Sequence, residues 1–183
     1  MKPGMAVLLA ALAAAGQGCS AAPPSTLADD PDWIAVGEVP LRPQKGEADC
    51  GAAALAMVLA RWGRSEEACG PLARQAEGTD GLRAGTLRDV ARGEDLEAFV
   101  LRGTVEDLEN ELSAGHPVIV GLVRGQGPRR LNHYEVVAGL NPAGAQVLLA
   151  DPARGWHRVG RDQFLKEWGE AGRVTVVVSR GYP

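Results

Sequence analysis

The chain reads as an α+β domain, with helices in its first half packed on a mainly antiparallel sheet in its second. Three observations predict this. Residues Gly51 to Trp62 form a run that is apolar on nearly every side, the mark of a buried helix. Further on, short Val- and Leu-rich runs are separated by Gly, Pro and Asn turn signals, as strands of a sheet are. The chain has 183 residues, 45% of them hydrophobic, enough for one domain with a sizeable core plus a tail.

The elements follow in order. Trp33 to Leu41 is an entry segment with a short strand. Gly63 ends the first helix, because glycine accepts the left-handed conformation of a helix C-terminus. Ser65 starts a second helix with Glu66 and Glu67 in its first turn, and Pro71 divides it. Thr86 to Ala91 is a third short helix with Leu87 and Val90 inward. Leu96 to Leu101 is a strand. Thr104 and Asp107 stand three apart, close to a capping box, ahead of the stripe Val105, Leu108 and Leu112. Pro117 to Val123 is a hydrophobic strand, and Gly125 to Arg130 is a polar loop. The strand Tyr134 to Leu140 follows, then the turn Asn141-Pro142-Ala143-Gly144. Gln146 to Ala150 is the next strand, Gly160 to Trp168 a short helix or loop, and Val174 to Val178 the closing strand.

The first residues are read apart from this domain. Met5 to Ala15 is an unbroken apolar run behind Lys2, too short to span a bilayer and suited to a signal h-region. It leads to Gly-Gln-Gly-Cys, which is similar to a bacterial lipoprotein cleavage site ending at Cys19. The expected organisation is a signal segment over 1–19, a flexible tether over 20–37 and the folded domain over 38–183. Cys19 is the expected lipidation site, placing the protein outside the cytoplasm on a membrane, at its periplasmic or cell-surface side.

Composition excludes other classes. The net charge is −4, and no basic cluster exceeds Arg129-Arg130, so the chain lacks an electrostatic footprint for nucleic acid. Three Cys and three His show no Cys-x-x-Cys or His-x-x-x-His spacing. No metal or other cofactor is expected. Cys69 reads as a small buried apolar residue.

Cys50 stands where the apolar helix begins. Unpaired N–H groups and the positive dipole end of a helix favour a thiolate, the nucleophilic form. A lone Cys there is ordinarily structural. The reading changes with Gln44 six residues upstream, His133 at the start of a strand-like run and Asp151-Pro152 after the next run. Cys, His and Asp, with a Gln to donate to an oxyanion, are the set that thiol acyl transfer needs. Asp49 is read as the helix N-cap. Trp62, Trp156 and Trp168 are read as packing residues, with Trp156 alternatively walling a substrate groove.

Four stretches carry a resemblance: Gln44, Asp49-Cys50-Gly51 with its small apolar helix, His133-Tyr134-Glu135-Val136-Val137-Ala138-Gly139, and Asp151-Pro152-Ala153-Arg154-Gly155. Together, over roughly residues 38 to 179, they resemble the papain-like leader peptidases fused to bacteriocin exporters. The resemblance implies a papain-like fold and cleavage of exported peptides after small residues, with Gly-Gly ending the leader. The intermediate would be a thioester on Cys50. The implied partners are a peptide or protein substrate and a separate export system, with membrane contact through the lipid. The chain carries no P-loop pattern. Glu135 departs from the pattern, since an apolar residue is usual there, and on a strand it shares a face with His133. Two other readings stand beside this one: a catalytically silent peptide-binding lipoprotein, and a different thiol acyl transferase or amidase.

Overall fold

The computed structural model describes residue 27, residues 29–125 and residues 127–181. Cys19 and the predicted signal segment lie outside the described residues. In chain order the elements are β1 (Ile34–Ala35), α1 (Cys50–Arg61), α2 (Cys69–Ala76), α3 (Ala84–Gly93), β2 (Glu97–Arg102), α4 (Val105–Ser113), β3 (Val118–Arg124), β4 (Leu131–Asn141), β5 (Gln146–Asp151), β6 (Gly155–Gly160), α5 (Arg161–Glu170) and β7 (Val174–Ser179). The strands form one antiparallel sheet in the order β2-β7-β3-β4-β5-β6, with β1 pairing on β4. The predicted α+β layout, with early helices on an antiparallel sheet, is the observed one.

Helix α1 is buried along its length, from Cys50 through Leu59, and lies against β4. Its small residues let it approach the sheet closely, while Leu55, Met57 and Leu59 are fully enclosed. Strand β3 is buried at every position, as a central strand covered on both faces must be. The capping box of α4 is present, with the Asp107 N–H donating to Thr104 Oγ1 at 3.1 Å and the Thr104 N–H to Asp107 Oδ2 at 2.7 Å.

Several expectations shift. The tether expected over 20–37 does not extend through its last part. Leu27, Trp33 and Val36 are buried in the core, and Ile34 and Ala35 pair with Leu140 and Gly139. Their apolar side chains gain more from the sheet edge than from solvent. Helix α2 begins at Cys69, not Ser65, which puts Pro71 in its first turn, where no amide hydrogen is needed. That leaves Glu66 free to hold Arg42 in a two-pronged ion pair at 2.6 Å. Strand β6 is unexpected: Gly155–Gly160, to which the sequence assigns no strand, pairs with β5. Strand β4 starts at Leu131, so His133 is its third residue.

Gly103 joins β2 to α4 at a point of close approach. A Cβ there would sit 2.5 Å from Thr175 Oγ1 and 2.7 Å from Trp168 Cζ2, and both neighbours are fully buried. Gly103→Ala should therefore lower the stability by about 1–3 kcal/mol, as overpacking does. Gly93→Ala, which meets nothing within 4 Å, should be neutral or stabilising. Urea midpoints of the two variants check this, and equal midpoints would contradict it.

Candidate active site

Strand pairing assembles one side of the site. Strands β4 and β5 pair with Val136 opposite Ala150 and Val137 opposite Leu149. Continuing that register one step sets Asp151 across from Glu135, and so diagonal to His133 on the same face. The His133 Nε2–H donates to Asp151 Oδ1 at 2.7 Å. Both residues are buried, and Asp151 Oδ1 also accepts from the Ala153 N–H at 2.7 Å. Because Nε2 is committed to Asp151, Nδ1 remains the ring nitrogen for a second partner.

Cys50 is the group beside it, lining the same cleft. Burial by itself disfavours a charged imidazole at His133. Hydrogen bonds to Asp151 and Cys50, with the attraction of their charges, outweigh it and raise the His133 pKa to about 9. Burial likewise opposes the Asp151 charge, but the hydrogen bonds from His133 and Ala153 hold its carboxyl below the usual range. Cys50, His133 and Asp151 line one cleft of about 1570 Å³, with Gln44, Leu82 and Tyr134 beside them. Tyr134 packs on the start of α1, where a Cβ on Gly51 would lie 3.1 Å from Tyr134 Cδ2. Burial and the neighbouring Cys50 charge push the Tyr134 phenol up to about 12, so it stays neutral.

The loop before Cys50 is tied from three directions. The Gln44 N–H donates to Pro152 O at 2.9 Å, which fastens it to the turn after Asp151. Its side-chain Nε2–H donates to Gly46 O at 2.7 Å. An amide nitrogen has two hydrogens, so one is left for another acceptor. Asp49 occupies the N-cap position of α1, as expected, but its side chain does not cap the helix. Its carboxylate turns back to accept from the Lys45 N–H and the Gly46 N–H, each at 3.0 Å. The opening amides of α1 are thus left without a side-chain cap from Asp49.

Sequence reasoning missed part of the site. Behind His133, the fully buried Glu135 accepts from Arg124 Nε at 2.9 Å and Nη2 at 2.5 Å through Oε1, and from His157 Nε2 at 2.9 Å through Oε2. Arg124 also pairs with Glu167 of α5. Glu135 is singled out in the sequence as sharing a face with His133, and the signal for Arg124 is an arginine ending an otherwise apolar run. His157 carried none, because β6 was not foreseen. His133, Glu135 and Asp151 offer donor atoms within 4.8 Å of one another. Arg124 and His157 already engage both Glu135 oxygens, so the cluster reads as a charge network and not as a metal centre. Trp156 is buried and stands apart from the cleft lining, which fits packing over a groove wall. Cys69 is a free buried thiol, pushed up to about 12 by burial and by Glu66 and Glu94.

The model of the peptidase C39 family matches residues 38–179. The chain belongs to that family. It is a cysteine peptidase with the papain-like fold. Among solved structures it is similar to the peptidase domain of Streptococcus ComA, a bi-functional ABC transporter involved in a quorum-sensing pathway. Identity there is 25% and the TM-score 0.63, over 79% of this chain and 100% of that one. It is also similar to a double glycine motif protease from an AMS/PCAT transporter, solved in complex with the leader peptide. Identity is 27% and the TM-score 0.60, over 78% of this chain and 91% of that one. A putative C39-like peptidase from Bacillus anthracis shares the fold at 18% identity and a TM-score of 0.67, over 82% of this chain and 99% of that one. The lactococcin-A transport/processing ATP-binding protein of Lactococcus lactis is 29% identical over 126 residues. That match covers 68% of this chain and only 17% of the relative.

The two described cysteines should separate in reactivity. Iodoacetamide at neutral pH should label Cys50, which lines the cleft beside its imidazole. Cys69 should react at least about 100-fold more slowly, since its thiolate is scarce at that pH. Peptide mass mapping of the labelled sites reads the two rates, and equal rates would remove Cys50 from the nucleophile role.

Proposed function

We propose that this peptidase cuts exported peptides after a Gly-Gly leader, with Cys50 as nucleophile and His133 as its base. The observation that carries the reading is the His133 ring, bound to Asp151 through Nε2, in one cleft with Cys50 at the start of α1. In this reading the Cys50 proton moves to His133 Nδ1, and the thiolate attacks the carbonyl carbon of the last leader residue. The oxyanion is met by the Cys50 N–H and the second Gln44 Nε2–H. His133 returns the proton to the departing amine, leaving a thioester on Cys50. A water that gives its proton to His133 then attacks the thioester, and the leader leaves with a new carboxylate. Asp151 fixes the ring tautomer and orientation throughout.

The preference for glycine has a steric reason. The cleft wall beside Cys50 is formed by Tyr134, already in close contact with Gly51, and by Leu82. A side chain on either residue before the scissile bond would hold the carbonyl away from Cys50 and Gln44. The leader-bound relative with its double glycine motif supports the same substrate class. By analogy with the transporter relatives, the peptide would reach this chain through a separate export system. Cys19 would carry the lipid that holds the protein at the membrane, a reading supported by the Gly-Gln-Gly-Cys stretch behind an apolar run. Its test is intact-mass analysis of the membrane fraction, where a mature N-terminus beyond Cys19 would reject the anchor.

A synthetic peptide ending its leader in Gly-Gly should be cleaved, and Gly→Val at either position should slow cleavage by about 10²-fold or more. Gln44→Ala should lower kcat by about 10²–10³-fold with KM nearly unchanged, as loss of one oxyanion donor does. Cleavage of the Val peptides at the Gly-Gly rate would overturn the specificity. A Gln44→Ala enzyme of full kcat would remove the oxyanion role.

A further inference from the structure

The mechanism above uses one carboxylate to orient His133, yet the structure places two beside it. Glu135 is fully buried, and its Oε1 lies 3.8 Å from His133 Nε2, the nitrogen that also binds Asp151. A buried carboxylate with no role in folding alone would be costly to keep, and replacing a buried ion pair with apolar residues is often neutral or stabilising. Here the carboxylate is held from two further strands, by Arg124 of β3 and His157 of β6. Arg124 is itself shared with Glu167, so one guanidinium faces two carboxylates. The surplus negative charge sits within reach of the imidazole.

We propose that Glu135 is a second carboxylate for His133, a positioning residue whose charge, aimed by Arg124 and His157, stabilises the imidazolium formed when His133 takes the Cys50 proton. It rests on the reading of His133 as the base for Cys50. The groups facing this imidazole are Asp151 from β5, Glu135 with Arg124 behind it, Cys50 from α1 and the neutral Tyr134 phenol. Arg154 lies beyond, with Nε 3.6 Å from Asp151 Oδ2 but largely in solvent. His157 is the group of the network nearest to water, with a side chain 20% exposed.

The distance predicts the size. An opposite charge within about 4–6 Å moves an ionisation by about 1–3 pH units, and sharing with Arg124 puts Glu135 at the low end. The test is a proton NMR titration of the His133 ring in the full chain carrying Cys50→Ala, with and without Glu135→Gln. The His133 midpoint should fall by about one pH unit in the Glu135→Gln protein. A midpoint that does not move overturns the proposal. Should Glu135→Gln fail to fold, the triple change Arg124→Met, Glu135→Leu and Glu167→Gln removes the guanidinium together with both of its carboxylates. It should still lower the midpoint by about half a unit or more, because the negative end of the Arg124–Glu135 pair is the end facing His133. No movement there also overturns it. With Cys50 intact, the alkaline limb of Gly-Gly peptide cleavage should move down with the midpoint, while a merely structural Glu135 would leave it in place. If the unaltered chain cleaves no such peptide, the peptidase reading fails, and the titration still decides the role of Glu135.

Discussion

The hydrogen bond between His133 Nε2 and Asp151 Oδ1 is the interaction on which the site depends. It fixes a tautomer, a ring plane and a charge at once. It forms because two neighbouring antiparallel strands are in one register and no other. A slip of one residue between β4 and β5 would send Asp151 to the opposite face of the sheet. The register is held by the apolar pairs further along, Val136 with Ala150 and Val137 with Leu149, all fully buried. Beyond Val137 the pairing shifts at a bulge before Gly139. The bulge lets the far end of β4 take β1 on its edge without disturbing the end that carries the site. Core packing at one end of the strand thus sets chemistry at the other.

Burying several charges beside this bond is the price of that arrangement, and the structure spreads it over five elements. Arg124, His133, Glu135, Asp151 and His157 come from four adjacent strands, and Glu167 adds a carboxylate from α5. Each is hydrogen-bonded to another member, so none is desolvated without compensation. Low dielectric then makes each pairing stronger than it would be at the surface. The same environment would disfavour an isolated imidazolium at His133, and only the neighbouring negative charges reverse that. In the proposed mechanism the network supports the chemistry as well as the fold.

How much of this was legible follows from range. Helix α1, the capping box of α4 and the strands β3, β4, β5 and β7 are written in local periodicity and punctuation, and they stand within a few residues of where the sequence puts them. Cys50, His133 and Asp151 could be picked out because each sits at or near the end of such an element, and the structure brings them into one cleft with Gln44 from the loop ahead of α1. Strand β6 was not: Trp156, His157, Arg158 and Val159 are too few and too polar to announce a strand, and only pairing with β5 makes them one. Since β6 was invisible, so was His157 as a partner of Glu135. Arg124 was visible as a charge ending an apolar strand, but its target lies across a strand pair whose register no local pattern states. Helix α2 was misplaced because Pro71 reads as an interruption, when it is the residue type best suited to a first turn.

The loop carrying Gln44 closes the argument about how separate parts of the chain become one site. Arg42 is clamped to Glu66 ahead of α2, the Gln44 amide is bound to Pro152 after β5, and Asp49 gathers the Lys45 and Gly46 amides. Asp49 could have capped α1, as its position allows. By turning to the loop instead, it leaves the opening amides of the helix without its carboxylate, at the end of α1 that lines the cleft. The same residue therefore does two things: it shapes the turn that presents Gln44, and it keeps the helix end uncapped by its own carboxylate. Because Gln44 hangs on the carbonyl next to Asp151, the proposed oxyanion donor and the carboxylate that holds the imidazole are tied to one turn. A displacement of that turn would move both together, preserving their spacing relative to each other better than their spacing to Cys50.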